Sequence, residues 1–184
     1  VVVGVQTHKM QRPGEAGPLG KLLFNDNSIS RSNQMSCATC HSAEKAFTDG
    51  KKLSTKNIHE NSFNRNSPTL LYSAFQKSFF YDMRSQDLEN QIESVMKNPA
   101  EFNLSPNEIK EKVASNKNLV ALFKKAYPDK KEITTYEIRN AIASYIMSLS
   151  PFNSKFDLNM QGKETSLTKN EINGFNLFTG KAKC

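Results

Sequence analysis

The stretch Cys37-Ala38-Thr39-Cys40-His41 constrains this chain more than any other. Two thiols one helical turn apart can each form a thioether to a vinyl group on the same edge region of a porphyrin. The imidazole that follows is then held under the iron as its proximal ligand. Cys-x-x-Cys-His is accordingly the attachment signature of a c-type haem. A zinc site would need a second pair of ligands at short spacing, and none is present. A dithiol redox site has no need of the histidine. The spacing therefore predicts one covalent haem c, on Cys37, Cys40 and His41.

Length and charge narrow the class. A chain of 184 residues holds one domain, or one domain and part of another. Its formal net charge is +7, but the basic residues are scattered. The nearest cluster, Lys124-Lys125 with Lys130-Lys131, reads as a solvated helix end and loop. No basic and aromatic module for nucleic acid is present, whereas an anionic redox partner suits the charge. No apolar run approaches a membrane span. The opening Val1-Val2-Val3-Gly4-Val5 is too short for a signal h-region and lacks its basic flank, so a mature, soluble form is expected. Covalent c-haem is attached outside the cytoplasm, which points to the periplasm.

The rest of the chain reads as helices separated by long loops. Residues 1–17 carry Pro13, Gly14 and Gly17 and suggest an extended arm. Pro18 at a first helical position, followed by Leu19, Leu22 and Leu23, predicts a short helix that stops at Asn25-Asp26-Asn27. Phe47-Thr48-Asp49-Gly50 is a turn, and residues 51–66 form a long polar loop. Leu88, Ile92, Val95 and Met96 lie at helical spacing before Pro99. Ser105 with Glu108 forms a capping box ahead of Ile109 and Val113. Leu119, Val120, Leu122 and Phe123 mark the next helix, ended by Pro128. Thr134 with Glu137 forms another box before the clearest stripe, Ile138, Ala141, Ile142, Tyr145, Ile146 and Leu149, which ends at Pro151. After a loop, Thr168 with Glu171 caps a last helix carrying Ile172, Phe175 and Phe178. No strand pattern and no repeat appears, so the expected class is all-α, cytochrome-c-like, with long loops.

Several short motifs then recur in a telling order. They are Leu19-Gly20-Lys21-Leu22-Leu23-Phe24, the haem motif, Phe47-Thr48-Asp49-Gly50, Arg65-Asn66-Ser67-Pro68-Thr69-Leu70 and Phe80-Tyr81-Asp82-Met83-Arg84. Leu88-Glu89-Asn90-Gln91, Asn98-Pro99-Ala100-Glu101 and Pro151-Phe152 follow. From about residue 18 onward the chain resembles the bacterial di-haem cytochrome c peroxidase family, which includes the di-haem enzyme that matures methylamine dehydrogenase. Any one motif is weak apart from the haem site, but their shared order is specific. The resemblance implies two haems, one per domain. Phe178-Thr179-Gly180-Lys181-Ala182-Lys183-Cys184 is similar to the approach to the second attachment motif, with Cys184 as its first cysteine. The expectation is a peroxidatic haem domain over 1–151 and the start of a second haem domain over 152–184, within a longer protein.

The same resemblance assigns roles. His59, in the long loop, would cap the resting iron on the distal side and leave when the other haem is reduced; a loop ligand can leave without disturbing a core. His8, the remaining histidine, reads as a surface residue. Glu101 would act as general acid–base on peroxide, with Gln91 orienting it. Taken without the family, both would read as solvated polar residues. Asn66 would give an amide oxygen to a calcium ion between the domains, although an Asn before Ser-Pro is also a common turn residue. Tyr81 stands where well-studied members carry Trp, and Met83 where they carry Gly. Tyr can still mediate electron transfer, but its redox chemistry is coupled to loss of the phenolic proton.

The implied activity is reduction of hydrogen peroxide to water with electrons from a small periplasmic cytochrome c or cupredoxin. Family members are often homodimers. Two alternatives stand beside it. One is a maturation-type oxidase acting on a protein side chain at a distance. The other is a non-enzymatic electron carrier whose irons stay six-coordinate.

Overall fold

In the computed structural model, residues 14–54, 63–163 and 167–184 are described. The first helix, α1 (Ala16–Asn25), and the longest, α6 (Thr135–Met147), cross in backbone contact. Gly20 makes this crossing. A Cβ added there would lie 1.8 Å from the Ala141 carbonyl oxygen, so no side chain fits. The close approach buries Leu19, Leu23 and Phe24 from α1 against Ile138, Ala141 and Ile142 from α6. A fully buried Leu or Phe contributes roughly 2 kcal/mol, so this seam is the main stabilising contact between the two ends of the unit.

Four further helices surround the seam. They are the short α2 (Cys37–Cys40), α3 (Leu88–Lys97), α4 (Pro106–Ser115) and α5 (Lys117–Ala126). Ile92, Met96, Ile109, Val113, Leu119 and Phe123 turn inward at the expected spacing. Ser105 and Glu108 form the reciprocal box, with the Ser105 N–H donating to Glu108 Oε2 at 2.7 Å. Among the described residues there is no strand, only isolated bridges at Ser42–Thr48 and Phe79–Ser85. The class is all-α with long loops.

The local expectations need four adjustments. The first helix starts at Ala16, so Pro18 is its third residue, where its missing N–H still costs no helical bond. Leu22 faces outward and is exposed, because the i, i+4 face is already filled by Leu19, Leu23 and Phe24. Thr134 accepts from the Tyr136 N–H instead of from Glu137, and its hydroxyl meets the Glu137 carboxylate directly. Glu137 is buried and also takes Lys130 at 3.1 Å, so its carboxylate is held by side chains and not by the backbone N–H of the cap. Finally, a short helix α7 (Lys155–Met160) occupies what reads as loop.

The chain divides into two units, Val1–Ser150 and Pro151–Cys184. The second holds α7, α8 (Lys169–Asn176) and a wide π turn at Leu177–Lys181. Thr168 and Glu171 form their capping box, Lys155 pairs with Glu171 at 2.9 Å, and the Phe156 and Phe175 rings meet at 5.1 Å. Ile172, Phe175 and Phe178 are at least 36% exposed.

Candidate functional site

The haem motif sits on a helix of a single turn. Ser36 caps it, and Thr39 returns the bond, so the two cysteines face the same way one turn apart. The chain then leaves through His41 into a tight loop. Ser42 N–H donates to Thr48 O at 3.0 Å, and Phe47 N–H to Ser42 O at 2.8 Å. This loop aims the Phe47 carbonyl at His41, with Nδ1 and the oxygen 2.9 Å apart. A carbonyl there accepts from Nδ1–H, which fixes the tautomer and leaves Nε2 with its lone pair free for a metal. Burial lowers the His41 pKa, against the opposing pull of the Phe47 and Pro68 backbone carbonyls and of Asp49; the shift runs toward the neutral ring that a metal ligand requires.

The thiols are shifted the other way. Burial pushes Cys37 up to about 12, with Cys40 and Glu101 adding to the rise. Cys40 is raised by burial and by the charges of Asp49 and Glu101, while a hydrogen bond from Ser67 works against this. Both shifts run opposite to those of the depressed thiols of dithiol redox sites. Ser67 is itself fixed by buried Ser54, with their hydroxyls 2.7 Å apart.

Glu101 therefore lies within electrostatic reach of both cysteines. It comes from the loop after α3, which is tied along its length. Glu101 N–H donates to Asn98 O at 2.9 Å, Leu104 N–H to Met96 O at 2.9 Å, and Arg31 N–H to Phe102 O at 2.9 Å. Phe102 and Leu104 are buried behind it. Burial lifts the Glu101 carboxyl to about 7, opposed by the Arg84 charge and by Asn98. Its Oε2 is buried with no hydrogen-bond partner among the described residues. An orphaned buried carboxyl oxygen is costly, and such groups gather where a ligand or a reaction uses them. Arg84 is only partly available to it. Its guanidinium lies 3.4 Å over the Phe80 ring and meets Asp82 at 2.8 Å.

Gln91 sits half-buried in the first part of α3. No hydrogen bond among the described residues joins it to Glu101. Asn66 and Tyr81 are brought together: the Tyr81 hydroxyl donates to Asn66 Oδ1 at 2.7 Å, and Arg65 lies 5.6 Å over the Tyr81 ring. One amide oxygen is far short of the six to eight that calcium takes, and no group of three or more His, Cys, Asp or Glu residues could hold a metal among the described residues. Met83 has φ +56°, a left-handed backbone that favours Gly. Cys184 is exposed, its Sγ 3.7 Å from Ala182 O. His8 and His59 lie outside the described residues.

The chain matches the model of the di-haem cytochrome c peroxidases over residues 15–165. It belongs to this family. It is 36% identical over 163 residues to the cytochrome c551 peroxidase of Nitrosomonas europaea, covering 88% of this chain and 48% of that protein. It is 31% identical to the methylamine utilization protein MauG of Methylorubrum extorquens, over 90% of this chain and 47% of that one. Among solved structures, a MauG-like protein associated with microbial copper homeostasis superposes with a TM-score of 0.83 at 28% identity, over 91% of this chain and 49% of that one. The chain thus spans about half the length of these relatives. No helix of the described residues is long and apolar enough to cross a membrane.

The family implies haem c, and the residues present fit it. Two thiols share one helical turn, the imidazole that follows turns Nδ1 to a backbone carbonyl, and an orphaned carboxyl oxygen is buried nearby. Sequence reasoning missed the Phe47 carbonyl, Ser67 and Arg84. A backbone carbonyl leaves no trace in residue type, and Ser67 was visible only as part of a motif.

Proposed function

We propose that this chain is the peroxidatic half of a di-haem peroxidase that reduces hydrogen peroxide to water, taking two electrons and two protons per peroxide. Cys37 and Cys40 would hold the haem and His41 would ligate its iron. When bound, the group supplies the iron and the electrons that break the O–O bond. The observation that carries the reading is the buried, unpartnered Oε2 of Glu101 on a carboxyl whose pKa is raised to about 7. At that pKa the group is both protonated and ionised near neutral pH, so it can take a proton from one oxygen of peroxide and return it to the other. The tied loop from Asn98 to Leu104 keeps it oriented without occupying Oε2. Gln91 would orient the substrate from α3.

The remaining roles belong to the whole protein. Electrons would come from a small periplasmic cytochrome c or cupredoxin, through a second haem attached at Cys184. His59 would cap the iron at rest and leave on half-reduction. Calcium at Asn66 would need its other ligands from elsewhere, and its binding would be read by titration of the full-length protein with the metal.

The test is peroxide consumption by the full-length holoprotein, fully oxidised and half-reduced, with a reduced cytochrome as donor. Turnover should rise on half-reduction, and Glu101→Gln should lower kcat by about 100-fold or more while haem loading stays unchanged. Equal turnover by the Gln variant would remove Glu101 from the chemistry. A second reading, an oxidase acting on a protein side chain, is favoured by the likeness to the MauG-like structure and by Tyr81 in the place of Trp. It predicts slow peroxide consumption together with oxidation of an added protein substrate.

A further inference from the structure

We infer that Thr69 is a positioning residue for the haem iron: its hydroxyl clamps the strained peptide that aims the Phe47 carbonyl at His41.

Ala46 and Phe47 both adopt left-handed backbone, with φ of +52° and +57°. Two consecutive non-Gly residues in this region are costly, about 1 kcal/mol or more each. Such a pair persists only where neighbours over-determine it, and here they do. The peptide between Ala46 and Phe47 is pinned at both ends. Its carbonyl accepts from Thr69 Oγ1 at 2.5 Å, and its N–H donates to Ser42 O at 2.8 Å. The next peptide is pinned as well. Its carbonyl faces His41 Nδ1 at 2.9 Å, and its N–H, from Thr48, donates to Lys45 O at 3.1 Å. The Phe47 ring is anchored edge-on to Phe24, with centroids 6.2 Å apart.

Of these four hydrogen bonds, three are made within residues 41–48. Thr69 alone reaches in from another segment. Its hydroxyl also accepts from the Leu71 N–H at 3.1 Å, so its direction is fixed. Relaxation of the left-handed pair would swing the Phe47 carbonyl, and Thr69 opposes that swing. The strength of the Nδ1 hydrogen bond sets how much electron density the imidazole gives a metal on Nε2. Thr69 would therefore tune the iron without touching it. The inference rests on His41 being the iron ligand, not on peroxide turnover.

The experiment uses the full-length holoprotein and follows the reduction potential of the haem on His41 by spectroscopic titration, with thermal melting in parallel. Thr69→Val keeps the shape and removes the hydroxyl; Thr69→Ser keeps the hydroxyl. The potential should move upward in Thr69→Val and return to the wild-type value in Thr69→Ser, since a weaker donor ligand favours the reduced iron. A Thr69→Val protein that melts lower at an unchanged potential would overturn the inference and leave Thr69 a loop staple. If Thr69→Val does not load haem, Thr69→Ala is measured in its place, and failure of both while Thr69→Ser loads would equally reduce Thr69 to a folding role. His41→Gly serves as the separate control. An iron spectrum unaltered by it would overturn the ligand assignment, and the clamp with it, whatever the activity.

Discussion

Two loops at the site treat their polar atoms in opposite ways. The loop from Ser42 to Gly50 ties its turn with backbone and side-chain hydrogen bonds, and tolerates two left-handed residues to aim one carbonyl. The loop from Asn98 to Leu104 is just as firmly tied through its backbone, yet leaves one carboxyl oxygen buried with no hydrogen-bond partner among the described residues. The first arrangement holds a ligand still. The second stores an unmet demand for a proton or a hydrogen bond, which a substrate can answer. Rigidity is common to both; what differs is whether the final polar atom has been satisfied.

Both loops hang from the crossing of α1 and α6, so the largest effect should erase the contrast. Gly20→Ala sets a methyl against the Ala141 carbonyl, and the helices must part. The expected loss is about 3 kcal/mol, read as a fall in denaturation midpoint together with haem loading. A variant as stable as the parent would mean the crossing is looser than it stands here.

The next test sharpens the contrast. The Glu101 carboxyl has its pKa raised from 4.5 to about 7 in the fold. Below pH 4.5 both folded and unfolded forms hold the proton, and burial carries no ionic penalty. As pH rises from 4.5 to 7 the unfolded chain ionises first, so stability falls by about 3 kcal/mol and then levels off. Glu101→Gln has no such group. Its stability should gain on the wild type across that window, measured by denaturant unfolding at pH 4.5, 6 and 8. Parallel profiles would show that Glu101 is solvated.

The smallest effect concerns the fixed loop. Ala46→Gly removes the Cβ from a left-handed position that hydrogen bonds already hold, and should stabilise by up to about 1 kcal/mol. Destabilisation instead would mean that the clamp, and not the backbone, carries the geometry.

What the sequence made legible was what is local. The boxes at Ser105–Glu108 and Thr168–Glu171 lie within one turn and need no tertiary information. Thr134–Glu137 has the same letters but a different outcome, because Lys130 and burial claim the carboxylate. The haem motif was legible because its chemistry demands three residue types at one spacing. The reach of Glu101 to the cysteines came only through resemblance, since loop closure is not periodic. The aim of the Phe47 carbonyl had no signal at all: any residue could carry it. Met83 is the converse case: its left-handed backbone accounts for a Gly at this place, and nothing in the structure explains the Met.

The contact between Gly20 and the Ala141 carbonyl also sets an order of events. Its partners come from opposite ends of the first unit, with the cysteine pair between them. While the chain is being made, α1 lacks its main packing partner until α6 has followed. Closing so long a loop is entropically the last step to be repaid. The cysteine pair lies inside the loop that this contact closes, so the first helix it packs on reaches its final place only when the far helix arrives.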